Sequence, residues 1–206
     1  MKAGLGAVLA CAACVSAAAE CPTRADVADG GVIVSFADGS EVAYSRSRSA
    51  PGRILEVNRS VSGDDGFWVE SWRGVYPVAD GLLRGGAPDR SYYAKSVYPV
   101  ELADLPPAAP GSSWSGKIAE VDSLGAALGE TDLTVTFEGR RTLRIGACAY
   151  DAIQVETLYA DDEGGFQATL DYLPELGFAV QTAGGELGSL LDFYHPVSIR
   201  EAASPS

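Results

Sequence analysis

The chain has 206 residues, 47% of them hydrophobic, which is enough for a substantial core in one ordinary domain or two small ones. Its 28 acidic and 15 basic residues give a formal net charge of −13 at pH 7. A surface of that sign argues against nucleic acid and anionic lipid as partners, whereas cationic partners and Ca²⁺ stay open.

The N-terminus has the parts of an export signal. Lys2 supplies one positive charge, an Ala-rich apolar run follows, and three alanines end at Ala19, directly before Glu20. This pattern predicts a signal peptide over residues 1–19 with cleavage after Ala19, and therefore a periplasmic or secreted protein. The run is too short for a stable membrane span. Lipidation is the alternative, although Glu20 before Cys21 does not fit a lipoprotein cleavage site.

Two cysteines, Cys21 and Cys148, remain after this cleavage. An even pair in an oxidising compartment predicts a disulfide, which would tie the mature N-terminus to a late strand. The alternative is a reactive thiol at Cys148, but no basic residue stands next to it to activate it.

The first half of the mature chain has short β-prone runs separated by Gly, Asp and Pro. The runs 32–36 and 41–44 flank Asp38-Gly39, a strong hairpin signal. Further strands are predicted over 54–57 and 67–76.

Alternation along the run 67–76 divides its large side chains between two faces. Phe67 and Val69 share one face, and Trp68, Glu70 and Trp72 share the other. Since both faces carry bulky apolar groups, we expect another segment to cover one of them, with the Pro-rich region as the candidate.

The middle of the chain is irregular. Asp80-Gly81 predicts a turn, and four prolines within 99–111 disfavour regular structure there. We expect this Pro-rich segment to cross the surface between two halves of one sheet system. A domain boundary is the alternative.

The second half is a series of strands. They are predicted over 114–121, 133–137, 142–145, 150–159, 166–172, 178–180 and within 187–199, with turns at 138–139, 161–165 and 174–177. Ile153, Val155 and Thr157 should point inward. No sustained helical period occurs outside the signal, apart from a candidate single turn at 123–128.

These patterns predict an all-β, antiparallel fold with little helix. The forms we expect are a curved sheet, an open barrel or a sandwich in a single domain over residues 20–200. The tail 201–206 is expected to be disordered.

The order of features from Leu105 onward resembles a known type of protein. A Pro-rich linker leads to Gly-x-x-Trp at 111–114, then Gly-x-Cys-x-Tyr-Asp at 146–151 and Tyr-Leu-Pro-Glu-Leu-Gly-Phe at 172–178. This order resembles uncharacterised exported β-rich proteins of Gram-negative bacteria. The resemblance covers the second half and implies a curved antiparallel sheet or open barrel, akin to periplasmic lipoprotein carriers. It carries over no catalytic residue.

Few residues indicate catalysis. His195 is the only histidine, and the chain has no Gly-x-Ser-x-Gly elbow, so a structural role is expected for it. Carboxylates are plentiful, but Asp64-Asp65 and the acidic turn 161–163 are typical of solvated loop tips. Ca²⁺ at 161–163 is conceivable, although the alternating Asp pattern of an EF-hand is missing. No cofactor is predicted.

Aromatic residues offer the best candidate site. A ligand groove is predicted from Trp68, Trp72, Trp114, Tyr92 and Tyr93, with core packing as the alternative for most of them. The leading hypothesis is a non-enzymatic protein that binds a lipid-like, peptide or envelope ligand on a concave sheet face. The alternatives are a carboxylate-dependent hydrolase of polysaccharide or peptidoglycan, and a module that docks a protein partner at a strand edge.

Overall fold

The computed structural model describes residues 20–48, 50–61, 66–162 and 164–203. The predicted signal peptide at 1–19, the acidic pair Asp64-Asp65, Glu163 and residues 204–206 of the predicted tail lie outside these ranges.

The described chain is almost entirely β, as predicted, with a short helix α1 (Arg24–Asp29) and a 3-10 turn at Leu102–Asp104. The strands are β1 (Val32–Phe36), β2 (Glu41–Arg46), β3 (Arg53–Arg59), β4 (Gly66–Trp72), β5 (Tyr76–Arg84), β6 (Ala87–Pro88), β7 (Ala94–Val97), β8 (Ser113–Asp122), β9 (Ala127–Ile145), β10 (Cys148–Asp161), β11 (Gly164–Leu173), β12 (Phe178–Glu186), β13 (Asp192–Phe193) and β14 (Pro196–Glu201). Within these ranges no helix is long and apolar enough to cross a membrane.

All of these strands belong to one antiparallel sheet that is not closed. Its order is β13-β12-β11-β10-β9-β8-β7-β5-β4-β3-β2-β1-β14, and β6 pairs with β5 beside this path. Most neighbours in space are therefore neighbours in sequence, as the regular turn signals indicated.

The two edges of the sheet are joined by two residues. The Tyr194 N–H donates to the Thr182 carbonyl at 2.9 Å, and the His195 carbonyl accepts from the Ala37 N–H at 2.9 Å. The chain thus passes from the β12 edge to the β1 edge between β13 and β14. This passage requires the sheet to curl until its edges approach, so its inner face is concave.

The antiparallel order gives the curled sheet two distinct ends. The β1–β2, β3–β4, β8–β9, β10–β11 and β12–β13 connections share one end, which we call the mouth. The opposite end, which we call the base, carries α1 and the β11–β12 turn.

A packed core fills the base and joins both halves of the chain. Tyr44 of β2 stacks on Phe178 of β12 with ring centroids 4.0 Å apart. Leu105 of the Pro-rich segment is buried in a second cluster with Tyr76 and Phe137. The Pro-rich segment connects the adjacent strands β7 and β8 and contributes a core side chain there.

Two predictions around β4 and β5 are wrong. The predicted strand 67–76 is interrupted after Trp72, where Arg73 and Gly74 have φ values of 54° and 71°. Asp80-Gly81 lies inside β5 and forms no turn. Gly81 instead accommodates the Trp68 ring, because a Cβ at Gly81 would lie only 3.0 Å from Trp68 Nε1.

The predicted turn at Glu138-Gly139 is also wrong. The runs 133–137 and 142–145 form one continuous strand, β9. The register against β10 shifts here, since Phe137 pairs with Val155 and Arg140 with Ile153. Glu138 and Gly139 thus form a bulge, which increases the local twist of the strand and bends the sheet.

The predicted disulfide is confirmed. Cys21 and Cys148 are bonded, with their Cα atoms 5.6 Å apart. The Tyr150 hydroxyl donates to the Pro22 carbonyl at 3.1 Å beside it. The N-terminal segment is therefore fixed to the base of the sheet.

The C-terminal strand extends into the predicted tail. Glu201 pairs with Val32, and the Ala202 N–H donates to the Gly31 carbonyl at 2.8 Å. These two residues belong to the sheet edge.

Candidate functional site

A large cavity lies inside the curled sheet. It has a volume of about 820 Å³ and is lined from both walls, β1 to β8 on one side and β10 to β12 on the other. The volume falls within the range of about 300–1,000 Å³ that is typical of small-molecule sites. Tight turn residues such as Ser40 and Ser60 line it at the mouth, so the cavity opens there.

Apolar and aromatic side chains form much of the cavity wall. They are Phe36, Val42, Tyr44, Phe67, Val69, Ile118, Tyr159 and Phe166. Strand alternation explains this arrangement, since every second residue of each strand points to the concave face. Phe67 and Val69 share that face, as predicted, and Trp68 and Glu70 are buried on the other.

Carboxylates interrupt the apolar wall in an ordered way. Glu56 of β3 pairs with Val69 of β4, which pairs with Asp80 of β5. The three residues form one row on the inner face, and two strand spacings put Glu56 and Asp80 roughly 10 Å apart. Glu120 of β8 also faces the cavity, beyond β7.

These three carboxylates, Glu56, Asp80 and Glu120, lack cationic partners. None of them forms a salt bridge within the part of the chain that the structure describes. Asn58 donates to Glu56 at 2.8 Å, and Thr131 donates to Glu120 at 3.4 Å. The cavity therefore holds negative charge that the protein does not neutralise locally.

The cavity changes the acidity of its own side chains. Burial raises the pKa of Glu56 to about 7, against the lowering effect of the Asn58 hydrogen bond. Burial also raises the pKa of Asp80, and the charge of Glu120 raises it further. The Asp80 side chain is nevertheless accessible to solvent from inside the cavity. Burial, followed by the charges of Glu56, Asp80 and Glu120, raises the pKa of Tyr159.

The other acidic lining residues are neutralised or locally bonded. Glu41 accepts from Arg200 at 2.9 Å, and Asp38 accepts from the Ser40 hydroxyl at 2.7 Å. Arg59 is the only basic residue among the described lining residues. The excess negative charge therefore comes from Glu56, Asp80 and Glu120.

Exposed apolar side chains surround the mouth. Phe67 of β4 pairs with Leu82 of β5. This pair follows the Val69–Asp80 pair on the inner face, on the side nearer the mouth. Both of its side chains, Phe67 and Leu82, are exposed. The connections at this end also expose Val61, Leu124, Leu187 and Leu190. Exposed apolar side chains thus stand at the mouth beside polar lining residues such as Asp38, Ser40 and Arg59.

The five aromatic residues of the predicted groove do not line this cavity. Trp68 is fully buried on the outer face, 5.7 Å from the Tyr93 ring. Trp114 packs against Tyr98 near the base, with ring centroids 5.3 Å apart. Trp72 packs against the core at the base, beside Arg73, and Tyr92 is exposed. The structure therefore brings Trp68 and Tyr93 together on the outer face and packs Trp72 and Trp114 against one core cluster at the base.

The segment that covers Trp68 is the loop between β6 and β7. The Arg90 guanidinium lies 3.9 Å from the Trp68 ring centroid and bonds Glu70 at 3.0 Å. Arg53 reaches the same buried carboxylate at 3.4 Å. The Pro-rich segment reaches the same face near Glu70, where its Val100, Glu101 and Leu102 line a pocket with Glu70 and Arg90, and its Leu105 packs at the base.

The remaining candidates have structural surroundings. His195 is exposed and joins the sheet edges through its carbonyl. Asp161 accepts from the Gly164 N–H at 2.9 Å, and Asp171 is fully buried against Arg141. Across the described ranges, no group of three or more His, Cys, Asp or Glu side chains is arranged to hold a metal ion.

Sequence reasoning missed the carboxylates of the cavity. Glu56 falls in the predicted strand 54–57, where alternation puts it on the same face as Ile54. A carboxylate on the same strand face as an apolar residue is the sequence signal that could have identified Glu56 as a cavity residue. Asp80 was assigned to a turn, so its side-chain direction was not predicted.

Comparison with known proteins gives similarities in fold. No protein-family model and no curated protein sequence matches this chain. The hypothetical lipoprotein YmcC from Escherichia coli K12 is similar in structure, with a TM-score of 0.44 and 14% identity over 84% of this chain and 87% of that one.

Two further solved structures are similar. A protein provisionally described as a lipoprotein, from Parabacteroides distasonis, has a TM-score of 0.38 and 12% identity over 88% of this chain and 100% of its own. One provisionally described as exported, with a YmcC-like fold, from Bacteroides fragilis, has a TM-score of 0.38 and 12% identity over 83% of this chain and 95% of its own. The predicted resemblance to exported β-rich proteins of Gram-negative bacteria is confirmed as a weak structural one.

Proposed function

We propose that this protein binds an apolar or amphiphilic small molecule in the interior cavity, outside the cytoplasm. The single observation that carries the proposal is the continuous cavity of about 820 Å³ with a mainly aromatic and aliphatic wall. Of the three hypotheses, a binding protein is the one that requires such a cavity within the sheet. The disulfide and the predicted signal peptide support an oxidising, extracytoplasmic location.

The arrangement of the core supports this function. The base is closed by packed side chains such as Leu105 and Phe178, whereas the mouth is open and exposes several apolar side chains. An apolar ligand entering from the mouth would exchange water for the aromatic wall. Burial of apolar ligand surface contributes about 25 cal/mol per Å², which favours such binding.

A substitution that fills the cavity tests the proposal. Val69 lies on the cavity wall in the middle of β4, so Val69→Trp would occupy part of the volume. Titration of the purified protein with the neutral fluorescent probe N-phenylnaphthylamine should show saturable binding. The Val69→Trp variant should bind at least about tenfold more weakly because ligand and indole compete for one space.

The matched control is Val197→Trp, which changes an exposed strand valine outside the cavity lining. It should bind the probe like the unmodified protein. Absence of saturable binding by the unmodified protein, or equal affinity in the Val69→Trp variant, would contradict a ligand site in the cavity.

A carboxylate-dependent hydrolase is the second candidate. Asp80 and Glu120 face one cavity from either side of β7, and the charge of Glu120 contributes to the raised pKa of Asp80. Two carboxyl groups that face one cleft are the arrangement that glycoside hydrolysis uses. Cleavage of peptidoglycan or polysaccharide that is lost in Asp80→Asn and Glu120→Gln would favour this candidate. Edge-strand docking of a partner stays a prediction.

A further inference from the structure

We propose that the ligand of the interior cavity is a cationic amphiphile, an apolar chain with an ammonium group that is held by Glu56 and Asp80. The inference rests on the proposed function, because it specifies the class of ligand for the same cavity. The ligand carries a positive charge, and Glu56 and Asp80 are the residues that recognise it.

The cavity wall bears negative charge at a defined place. Glu56 and Asp80 stand on the same inner row, separated by Val69 and roughly 10 Å apart from strand to strand. A cation between them would lie within about 5–6 Å of both carboxylates, where attraction is strong in a low-dielectric site. Glu120 adds negative charge from the far side of β7.

No cationic side chain in the described part of the chain pairs with these cavity carboxylates. A partly buried carboxylate on an apolar wall, as Glu56 is, is costly unless it gains a partner. In the described ranges Glu56 receives one amide hydrogen bond, from Asn58, and no cationic side chain pairs with Glu56 or Asp80. An ammonium group would supply the positive charge that this wall lacks. An anionic head group beside Glu56 and Asp80 would instead meet like charge.

The position of the row fixes the orientation of the ligand. Tyr44 pairs with Glu56 on the same row and stacks on Phe178 of the core, so the row borders the packed base. The Phe67–Leu82 pair lies one step nearer the mouth and is apolar. The ammonium group therefore enters first, and the apolar chain extends along Phe67 toward the mouth.

A matched set of amphiphiles tests the charge. Dodecylammonium, dodecanol and dodecanoate share one chain and differ in the head group. Dodecylammonium and dodecanoate are titrated below their critical micelle concentrations, and dodecanol below its solubility limit, against the protein loaded with N-phenylnaphthylamine. We expect dodecylammonium to displace the probe at concentrations about tenfold lower than dodecanol requires, with dodecanoate weaker still.

Single substitutions test the residues. At pH 8, above the raised pKa of Glu56, Glu56→Gln and Asp80→Asn keep the side-chain shape and remove one charge each. Both should weaken dodecylammonium about tenfold and leave dodecanol unchanged. Glu138→Gln is the matched control, since Glu138 is exposed at the β9 bulge and does not line the cavity.

Each outcome decides between the two proposals. If all three amphiphiles bind equally, or dodecanoate binds most tightly, the cationic ligand is excluded while the apolar cavity site survives. A preference for dodecylammonium that both substitutions leave intact would overturn the assignment to Glu56 and Asp80. Binding of none of the three would overturn the inference together with the proposed function.

Discussion

Glu56 shows how the curled sheet changes the chemistry of a single side chain. In the sequence it is an ordinary strand glutamate between Leu55 and Val57. In the folded protein it faces the cavity, where burial raises its pKa to about 7. Tyr44 beside it is buried as well, and burial together with the charge of Glu56 raises the pKa of that phenol. Burial on the inner face is thus the main cause of both shifts.

The raised pKa of Glu56 predicts a pH-dependent stability. The carboxyl has its ordinary pKa of 4.5 when unfolded and about 7 when folded, so between these values the folded protein binds more protons. The free energy of unfolding must then fall as the pH rises through this window. The contribution is fully present below pH 4.5 and is lost above pH 7.

Substitution of this residue should remove that slope. We expect Glu56→Gln to raise the free energy of unfolding above pH 7 by about 1–3 kcal/mol and to leave it nearly unchanged at pH 4. Urea denaturation across this pH range measures it. The exposed Glu138→Gln variant should follow the unmodified protein, and parallel curves for Glu56→Gln would count against a buried, protonated carboxyl.

Among the elements, the N-terminal segment is held at the base by several independent contacts. The disulfide from Cys21 to Cys148 closes a separation of 127 residues. Arg24 bonds the Pro174 carbonyl, and Val27 of α1 is buried in the core. This short helix therefore seals the base of the sheet.

Removal of the disulfide should destabilise the protein without closing the ligand site. The chain-entropy account gives about 4–5 kcal/mol for a loop of this length, with measured values often lower. We expect reduction, or Cys21→Ser with Cys148→Ser, to lower the free energy of unfolding by about 2–5 kcal/mol. Binding of N-phenylnaphthylamine should persist, since the bond lies at the base and the cavity opens at the mouth. A urea midpoint that reductant does not move would refute this stabilisation.

For the whole molecule, the contact between its two halves decides the shape of the cavity. Tyr44 from the first half stacks on Phe178 from the second, with their planes 5° apart. The same core cluster includes Val32 and Ile145, which are distant in sequence. The halves therefore share packing at the base, and the walls separate above it.

Truncation of that contact should affect the whole fold. Phe178→Ala removes a fully buried ring and should cost about 3–5 kcal/mol of unfolding free energy. Both halves should lose structure in one transition, which tryptophan fluorescence and far-UV circular dichroism would follow in parallel. Phe193→Ala is the matched control at an exposed position and should change stability by less than about 0.5 kcal/mol. A non-cooperative transition in the unmodified protein would show that the halves fold separately.

Much of the strand content was predictable from local patterns. The hairpin at Asp38-Gly39 and the inward Ile153, Val155 and Thr157 follow from turn chemistry and alternation, which depend on neighbours in sequence. The disulfide was predictable because two cysteines remain in an exported chain. The misplaced turns at Asp80-Gly81 and Glu138-Gly139 have another cause. Gly81 makes room for the ring of Trp68 on the neighbouring strand, and Gly139 is part of a bulge. A local sequence pattern cannot distinguish these roles from a turn.

The sequence alone determined the all-β class, the antiparallel arrangement of the strands and the pairing of Cys21 with Cys148. The tertiary structure alone decided that Trp68 is buried on the outer face and that Glu56 and Asp80 face a cavity. The physical reason is the period of the strand. Alternation separates two faces, but which face becomes concave depends on how the sheet curls and which segments cover it. That choice is made by long-range contacts such as Tyr44 on Phe178, which no local pattern contains.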